Sequence, residues 1–500
     1  MKKICAVGFF VLTIFCASTE AFICDYKDIE NIHTCIIFNT SSTFVQSDKE
    51  VLRVVSNVEI SIDDMKEILT NFPKLESLEI LNGKFDSYRS SDFPSSCLLK
   101  NLQILRGQLV SLASSGLSAC TLLTSINFSY NKLASVNKNA FDSFQSTLKT
   151  LNLADNKIDF TTSDIFTTSN SLPALESLNL SSNELSSFPQ SGFAFPSTNL
   201  KKLDLSFNKF STIANTILNL IPSLEELYLY NNSMTEISET QFSGLTLLKK
   251  LNIGNNNNIS SIHKDAFKNN IALEVLNITR STVTKLEKEL LTPLTKLQNL
   301  DLQDIKIDNS SIENLKDILS SLTDLKYLNI SLNKIGSIDG IFSSSKNLVE
   351  LYINEIGLEK LSENSFDNLT KLEVISLNKN SLESFPDNIF KNTLGLKVLH
   401  ASENKISQLK TSTFEKLEKL EYLDLSGNDI KGIEKNFFDK LKNLKVIKMS
   451  NNECLNEDIL SFNSSSSLSK FDKCFDDYNS SPTLIISNAL LILALLLKFV

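Results

Sequence analysis

The sequence predicts an α/β solenoid: a stack of short coils with a parallel β-sheet along the concave side and a cysteine-containing cap at each end. Three observations predict it. A leucine pattern returns, mostly every 24 or 25 residues, from Leu123 to Leu444. An asparagine and a phenylalanine each keep their own register within that period. Cysteines cluster towards the two ends, with none between Cys120 and Cys454. Composition agrees: 500 residues with 42% hydrophobic and 21% charged are enough to bury a core. A net charge of -9 argues against a nucleic-acid partner. With 13 Gly and 3 His, the chain has little material for phosphate-cradling loops, a His-rich metal site or a His-dependent enzyme. No cofactor and no metal are expected.

Residues 1–21 read as a secretory signal: Lys2 and Lys3, an apolar run from Ile4 to Phe15, then the small residues Thr19 and Ala21. Residues 22–50 form the N-terminal cap, with Cys24 and Cys35 in the segment ICDYKDIENIHTCIIF. Residues 51–452 are the repeats, irregular up to about 122, where LESLEILNGKF and LQILRGQLVSL are degenerate copies. Residues 453–478 form the C-terminal cap, with Cys454 and Cys474. Residues 479–500 read as a glycolipid (GPI) anchor signal: small residues at Asn479, Ser480 and Ser481, a spacer, and an apolar tail. Of 8 Cys, Cys5 and Cys16 leave with the signal. The remaining six suit an oxidising compartment and allow 15 connectivities. Their positions suggest Cys24 with Cys35, Cys454 with Cys474, and Cys97 with Cys120 across the early repeats.

The repeat is clearest in LKTLNLADNKI at Leu148, LKKLDLSFNKF at Leu200, LKVLHASENKI at Leu396 and LEYLDLSGNDI at Leu420. This LxxLxLxxNxL pattern is that of the leucine-rich repeat, which implies a horseshoe. Alternate leucines of each short strand point inward and the residues between them outward. The chain then turns at Asn131, Asn156, Asn183, Asn208, Asn232, Asn256, Asn333, Asn380, Asn404, Asn428 and Asn452. Their amides are placed to bond backbone groups that the turns leave open. Ser281, Ile305 and Ile356 stand in place of this Asn, so looser turns are expected there, with distortion over about 281–324. Ten residues after the Asn comes Phe141, Phe166, Phe193, Phe242, Phe366, Phe390, Phe414 or Phe438, with Phe267 one residue later in its repeat. An aromatic row on the far side of the core follows.

The outward residue between the inner leucines is Asn127, Asn152, Asn179, Asp204, Tyr228, Asn252, Asn277, Asp301, Asn329, Tyr352, Ser376, His400, Asp424 and Lys448 in turn. Glycosylation sequons start at Asn127, Asn179, Asn277 and Asn329 on this face, and at Asn39, Asn231, Asn258, Asn309, Asn368 and Asn463 elsewhere. Glycans on the strand sequons would shade the face up to Asn329. The unshaded strip is Tyr352, Ser376, His400, Asp424 and Lys448, flanked by Tyr327 and Tyr422. It is the expected partner-binding surface, with Tyr228 and Tyr230 as a second candidate. No GxSxG, HExxH or P-loop pattern is present, and the row Ser376, His400, Asp424 is read as polar surface rather than an active site.

With signal, repeats, cysteines and anchor signal in place, the chain resembles the extracellular leucine-rich-repeat proteins over roughly 51–475. In layout it is similar to insect lipid-anchored adhesion proteins of the connectin and chaoptin kind, and also to Toll-type receptor ectodomains and secreted insect immune repeat proteins. It departs from Toll receptors in lacking a spanning helix with a cytoplasmic signalling domain, and its C-terminal cap has two Cys where four are common. The resemblance implies a cell-surface or secreted protein partner, a second copy of the chain among the candidates, attachment to the membrane through lipid, and no nucleic acid. It leaves open adhesion or immune recognition of a secreted or microbial ligand.

Overall fold

In the computed structural model, the described residues are 24–29, 32–37, 53–56, 58–114, 116–137, 139–160, 172–189, 195, 197–283, 286–463 and 466–480. The expected signal peptide, the sequon Asn39, Phe166, Phe193 and the tail 481–500 lie outside them. So do the side chains of Cys24, Asn479 and Ser480. The chain forms two compact units, Met1–Met234 with Thr240–Leu251, and Thr235–Glu239 with Asn252–Val500.

The first unit opens with an antiparallel hairpin, Cys24–Ile29 and Ile32–Ile37, whose second strand pairs in parallel with Arg53–Ser56. The strands Ser77–Leu81, Asn101–Leu105, Ser125–Asn127, Thr150–Asn152, Ser177–Asn179, Lys202–Asp204 and Glu226–Tyr228 follow, each parallel to the one before. The second unit repeats the design from Val275–Asn277 through Asn299–Asp301, Tyr327–Asn329, Glu350–Tyr352, Val374–Ser376, Val398–His400 and Tyr422–Asp424 to Val446–Lys448. Register is constant: Leu203 faces Leu227, and Leu399 faces Leu423. These central residues are fully buried, as strand alternation requires. The expected solenoid of leucine-rich coils is therefore present in each unit.

The asparagine register does what its chemistry allows. Asn156 donates its amide to the carbonyls of Phe128 (2.9 Å) and Leu153 (3.0 Å), and accepts from Leu133 N–H (2.9 Å), so it ties two coils together. The residue before it is left-handed: Asp155 has φ 53°, Phe207 56°, Lys379 54°. That conformation costs a non-glycine residue about 1 kcal/mol, and the buried amide bonds offset it.

The repeats lacking this Asn behave unequally. At Ile356, the next asparagine adds a bond to its usual one: Asn380 Oδ1 accepts from Leu358 N–H, as its counterparts do in other coils, and also from Ile356 N–H, each at 3.1 Å. That turn is tied more firmly than the sequence suggests. At Ile305 no such rescue occurs, and the buried Asn333 Oδ1 has no partner; Ser281 Oγ is likewise buried and unpaired. In both isoleucine turns the following residue is left-handed, Lys306 (φ 66°) and Gly357 (φ 75°), but only glycine adopts this without strain.

The phenylalanine register forms core. Phe242, Phe267, Phe366 and Phe390 are fully buried, and successive rings of Phe366, Phe390 and Phe414 lie 6.0 and 5.7 Å apart. Sign-alternating charges, which the sequence reading missed, run along one edge of each unit. In the first unit Lys201 meets Glu176 at 2.9 Å and Lys249 meets Glu225 at 2.7 Å; in the second, Lys397 meets Glu373 at 2.8 Å. Such exposed pairs each contribute little energy, but like charges on successive coils are avoided.

Disulfides join Cys97 to Cys120 and Cys454 to Cys474, as expected. Cys35 is buried and disulfide-bonded. At the C-terminal end, Asp458–Ile459 pairs antiparallel to the last repeat strand. Helix Asp472–Ser480 lies against Gly432, where a Cβ would come within 2.5 Å of Tyr478 Cα, so only glycine fits. Phe438, Phe462 and Phe471 fill this end, with Phe438 4.7 Å from Phe471 and 5.1 Å from Phe462.

Candidate partner-binding face

The middle strand residue does not always face solvent in the way its position suggests. Asn152 Oδ1 accepts from Ala154 N–H (3.0 Å), Asn179 Oδ1 from Ser181 N–H (2.9 Å) and Asp204 Oδ1 from Ser206 N–H (2.9 Å). Asn127, Asn252, Asn277, Asp301, Asn329 and Asp424 make the same bond. Each carboxamide or carboxylate caps the backbone as it leaves the strand, an Asx turn at a fixed place in the repeat. The sequence signal for this was the recurrence of Asn and Asp at one position, since solvent exposure alone does not select one residue type.

Tyr352, Ser376, His400 and Lys448 break that pattern. Tyr352 donates its hydroxyl to Glu350 Oε2 (2.9 Å) and its ring centroid lies 5.3 Å from Tyr327. Burial, the bond to Glu350 and its charge push the Tyr352 hydroxyl up to about 12. Burial and the Asp301 charge do the same for Tyr327, also to about 12. Both phenols therefore stay protonated as donors. His400 packs its ring 5.0 Å from Tyr422, whose other neighbour, Lys448 Nζ, sits 5.6 Å from the ring centroid. The strip thus carries three half-buried tyrosines, one histidine and one lysine on neighbouring strands.

Two expected members are withdrawn from it. Ser376 is only 3% exposed because its hydroxyl donates to Asn354 Oδ1 (2.7 Å) and accepts from Asn378 Nδ2 (3.3 Å). Asp424 is 8% exposed, accepting from Ser426 Oγ at 2.7 Å. In their place the structure puts Asn354 and Asn378, part-exposed two residues beyond their strands. Asn378 Oδ1 accepts from both N–H (2.8 Å) and Oγ (2.9 Å) of Ser402, which continues the chain of polar contacts.

The same contacts set the geometry of Ser376, His400 and Asp424. They are direct neighbours in register, yet the serine hydroxyl points its hydrogen at Asn354. Burial lowers the affinity of His400 for a proton, against the pull of Asp424. Among the described residues no cluster suited to a metal ion occurs.

In the first unit, Tyr228 repeats the Tyr352 arrangement, donating to Glu226 Oε2 at 3.0 Å with Lys202 Nζ 5.3 Å from its ring centroid. Tyr230 points elsewhere, its ring 5.4 Å from Phe207. The sequons separate by exposure: Asn258, Asn309, Asn368 and Asn463 are exposed, and Asn127, Asn179, Asn231 and Asn277 are half-buried. Asn329 is 7% exposed, with its amide nitrogen 3.3 Å from Gln303 Oε1, so a glycan there would have to displace this packing. Of the four strand sequons, Asn329 is the one that is buried.

Leucine-rich-repeat descriptions match the chain along most of the coils: leucine rich repeat at 198–257, 247–304, 370–430 and 394–454, BspA type leucine rich repeat region at 65–173, and further leucine rich repeats at 174–195 and 321–341. The chain is a leucine-rich-repeat protein. Comparison with curated proteins returns no match. Among solved structures, a leucine-rich-repeat protein of Leptospira interrogans is similar, with 22% identity, coverage of 80% of this chain and 90% of that one, and a TM-score of 0.58. An internalin (inlF) of Listeria monocytogenes aligns at 25% identity over 60% and 79%, with a TM-score of 0.46. TLR13, solved as a complex with ssRNA13, aligns at 18% over 88% and 72%, with a TM-score of 0.47. The first of these likenesses supports the leucine-rich-repeat fold. Repeat solenoids of this kind commonly serve as protein-interaction scaffolds. Among the described residues, no helix is long and apolar enough to cross a membrane.

Proposed function

We propose that this leucine-rich-repeat protein is an extracellular, lipid-anchored ectodomain that binds another cell-surface protein, or a second copy of itself, in cell adhesion. The observation that carries the reading is the 352–448 stretch of strand face. There the backbone-capping Asn or Asp gives way to Tyr352, His400 and Lys448, with Tyr327 and Tyr422 beside them. Half-buried tyrosines offer rigid, amphipathic contact area at low entropic cost, the composition of interface anchors. The Tyr327 and Tyr352 hydroxyls remain donors across the physiological range, and Lys448 supplies a charge at the rim. The six cysteines of the mature chain, a secretory signal and an anchor signal at Asn479 and Ser480 support an extracellular, membrane-held setting.

Expression on otherwise non-adherent cells tests this. Aggregation of the cells, and their release as single cells by a phosphatidylinositol-specific phospholipase, is the expected result. Capture of a soluble ligand without any aggregation would replace adhesion with recognition of a secreted or microbial ligand. Retention of the protein on the membrane after phospholipase treatment, with residues 481–500 still attached, would refute the lipid anchor.

A further inference from the structure

Phe207 is out of place by two criteria at once. It occupies the left-handed position of its turn (φ 56°), and it remains 49% exposed. A bulky apolar residue gains nothing from either condition: the backbone is strained and the ring is wet. In the same unit the equivalent left-handed residues include Asn82, Asp155 and Ser182, all small or polar. Tyr130 also stands there, but Arg106 lies over its ring at 6.0 Å. Tyr230 flanks Phe207 at a centroid distance of 5.4 Å and widens the apolar patch instead of covering it.

The equivalent position on the next coil is Asn231, also left-handed (φ 54°) and part-exposed. It opens the sequon Asn231–Asn232–Ser233. The two turns are bonded at this point, since Phe207 N–H donates to the Tyr230 carbonyl at 2.8 Å, one residue before Asn231. Whatever is attached to Asn231 therefore starts within one residue of the aromatic pair. The axial C–H face of an N-acetylglucosamine ring is apolar and flat, matched in size to an exposed aromatic ring.

We propose that an N-linked glycan on Asn231 lies across Phe207 and Tyr230, making this patch the seat of a sugar and not a protein-docking site. The inference rests on the extracellular reading above, because the glycan is added in the secretory pathway. The donor is a polyprenyl-diphosphate oligosaccharide: the Asn231 amide nitrogen loses one proton and bonds to the anomeric carbon, whose bond to phosphate breaks, and polyprenyl diphosphate leaves. The seat accounts for a strained, exposed phenylalanine and for an aromatic partner beside it. It also removes Tyr230 from the residues available to a protein partner.

The test uses the full chain secreted from a eukaryotic host. Glycopeptide mass spectrometry is expected to find N-acetylhexosamine on Asn231. Ser233→Ala, which abolishes the sequon and leaves Asn231 in place, is expected to lower the melting temperature by about 1–2 °C and to raise binding of an apolar dye. In a Phe207→Asn background, where the left-handed turn is unstrained and the ring is gone, Ser233→Ala is expected to change neither. Glycans on the exposed sequons but none on Asn231 would overturn the proposal while leaving the extracellular reading intact. An occupied Asn231 with equal Ser233→Ala effects in both backgrounds would overturn the seat. A chain with no glycan anywhere would overturn both readings together.

Discussion

The strand face of the first unit and the 352–448 stretch of the second share one backbone and put it to different uses. In the first, Asn127, Asn152, Asn179 and Asp204 spend their side chains on the N–H two residues ahead. In the second, Tyr352, His400 and Lys448 stand at the same place and make no such bond, while Asn354 and Asn378 take over the polar contacts at the strand ends. The difference shows that facing outward on a repeat strand is not the same as being free to bind. A side chain that caps its own turn belongs to the scaffold. One relieved of that duty by a neighbour is available to a partner.

Substitutions can break this comparison, and the largest effect belongs to the turn asparagines of the shared scaffold. Asn380→Ala should cost about 3 kcal/mol or more, because two buried N–H groups and two carbonyls lose their partner at once. Chemical denaturation of the intact chain measures this, and a loss below about 1 kcal/mol would mean water replaces the amide. Next comes Tyr352→Ala, expected to weaken partner binding about tenfold or more, with little change in stability. Asn152→Ala should do the opposite, costing about 1 kcal/mol of stability through the Ala154 N–H it leaves, and leaving binding unchanged. The two isoleucine turns give a smaller contrast. Gly357→Ala should destabilise by about 1 kcal/mol for its φ of 75°, whereas Lys306→Gly should stabilise by about 0.5 kcal/mol by relieving strain.

The smallest effect is a pH dependence within the strip. Burial holds the His400 pKa below its ordinary value of 6.5, outweighing Asp424, and Lys448 lowers it further. Between the folded and unfolded pKa the unfolded chain binds more protons, so this stability is fully present above about pH 6.5 and is lost as pH falls through the folded pKa. His400→Gln should flatten the decline over that window in thermal melts taken across pH. An unchanged slope would show that His400 titrates as it does in the unfolded chain.

Much of the architecture is legible in the sequence because a repeat states its chemistry many times. The inner leucines, the turn asparagines and the buried phenylalanines each keep one residue type at one register, and each proves to be fixed by packing or by backbone bonds. The same logic read backwards would have found the Asx caps, since Asn or Asp also recurs at most of the middle strand positions, though less often than Asn does in the turn. The site was harder to read. Ser376 and Asp424 occupy outward positions, and only the side chains of Asn354 and Ser426, which reach them across a turn or from a neighbouring coil, reveal that they are covered. Side-chain reach between coils has no signature in a single repeat. The rescue of Ile356 by Asn380 was hidden for the same reason: it needs the geometry of two turns at once.

The central claim is that stability and binding reside at different members of one strand position. The most direct test measures both properties in two double variants, Tyr352→Ala with His400→Ala and Asn152→Ala with Asp204→Ala, by thermal melting of the secreted chain and by aggregation of cells displaying it. The account predicts a crossed result: the first pair loses aggregation and keeps its melting temperature, and the second loses melting temperature and keeps aggregation at temperatures where it is folded. Loss of aggregation in the second pair while folded, or full aggregation in the first, would contradict it.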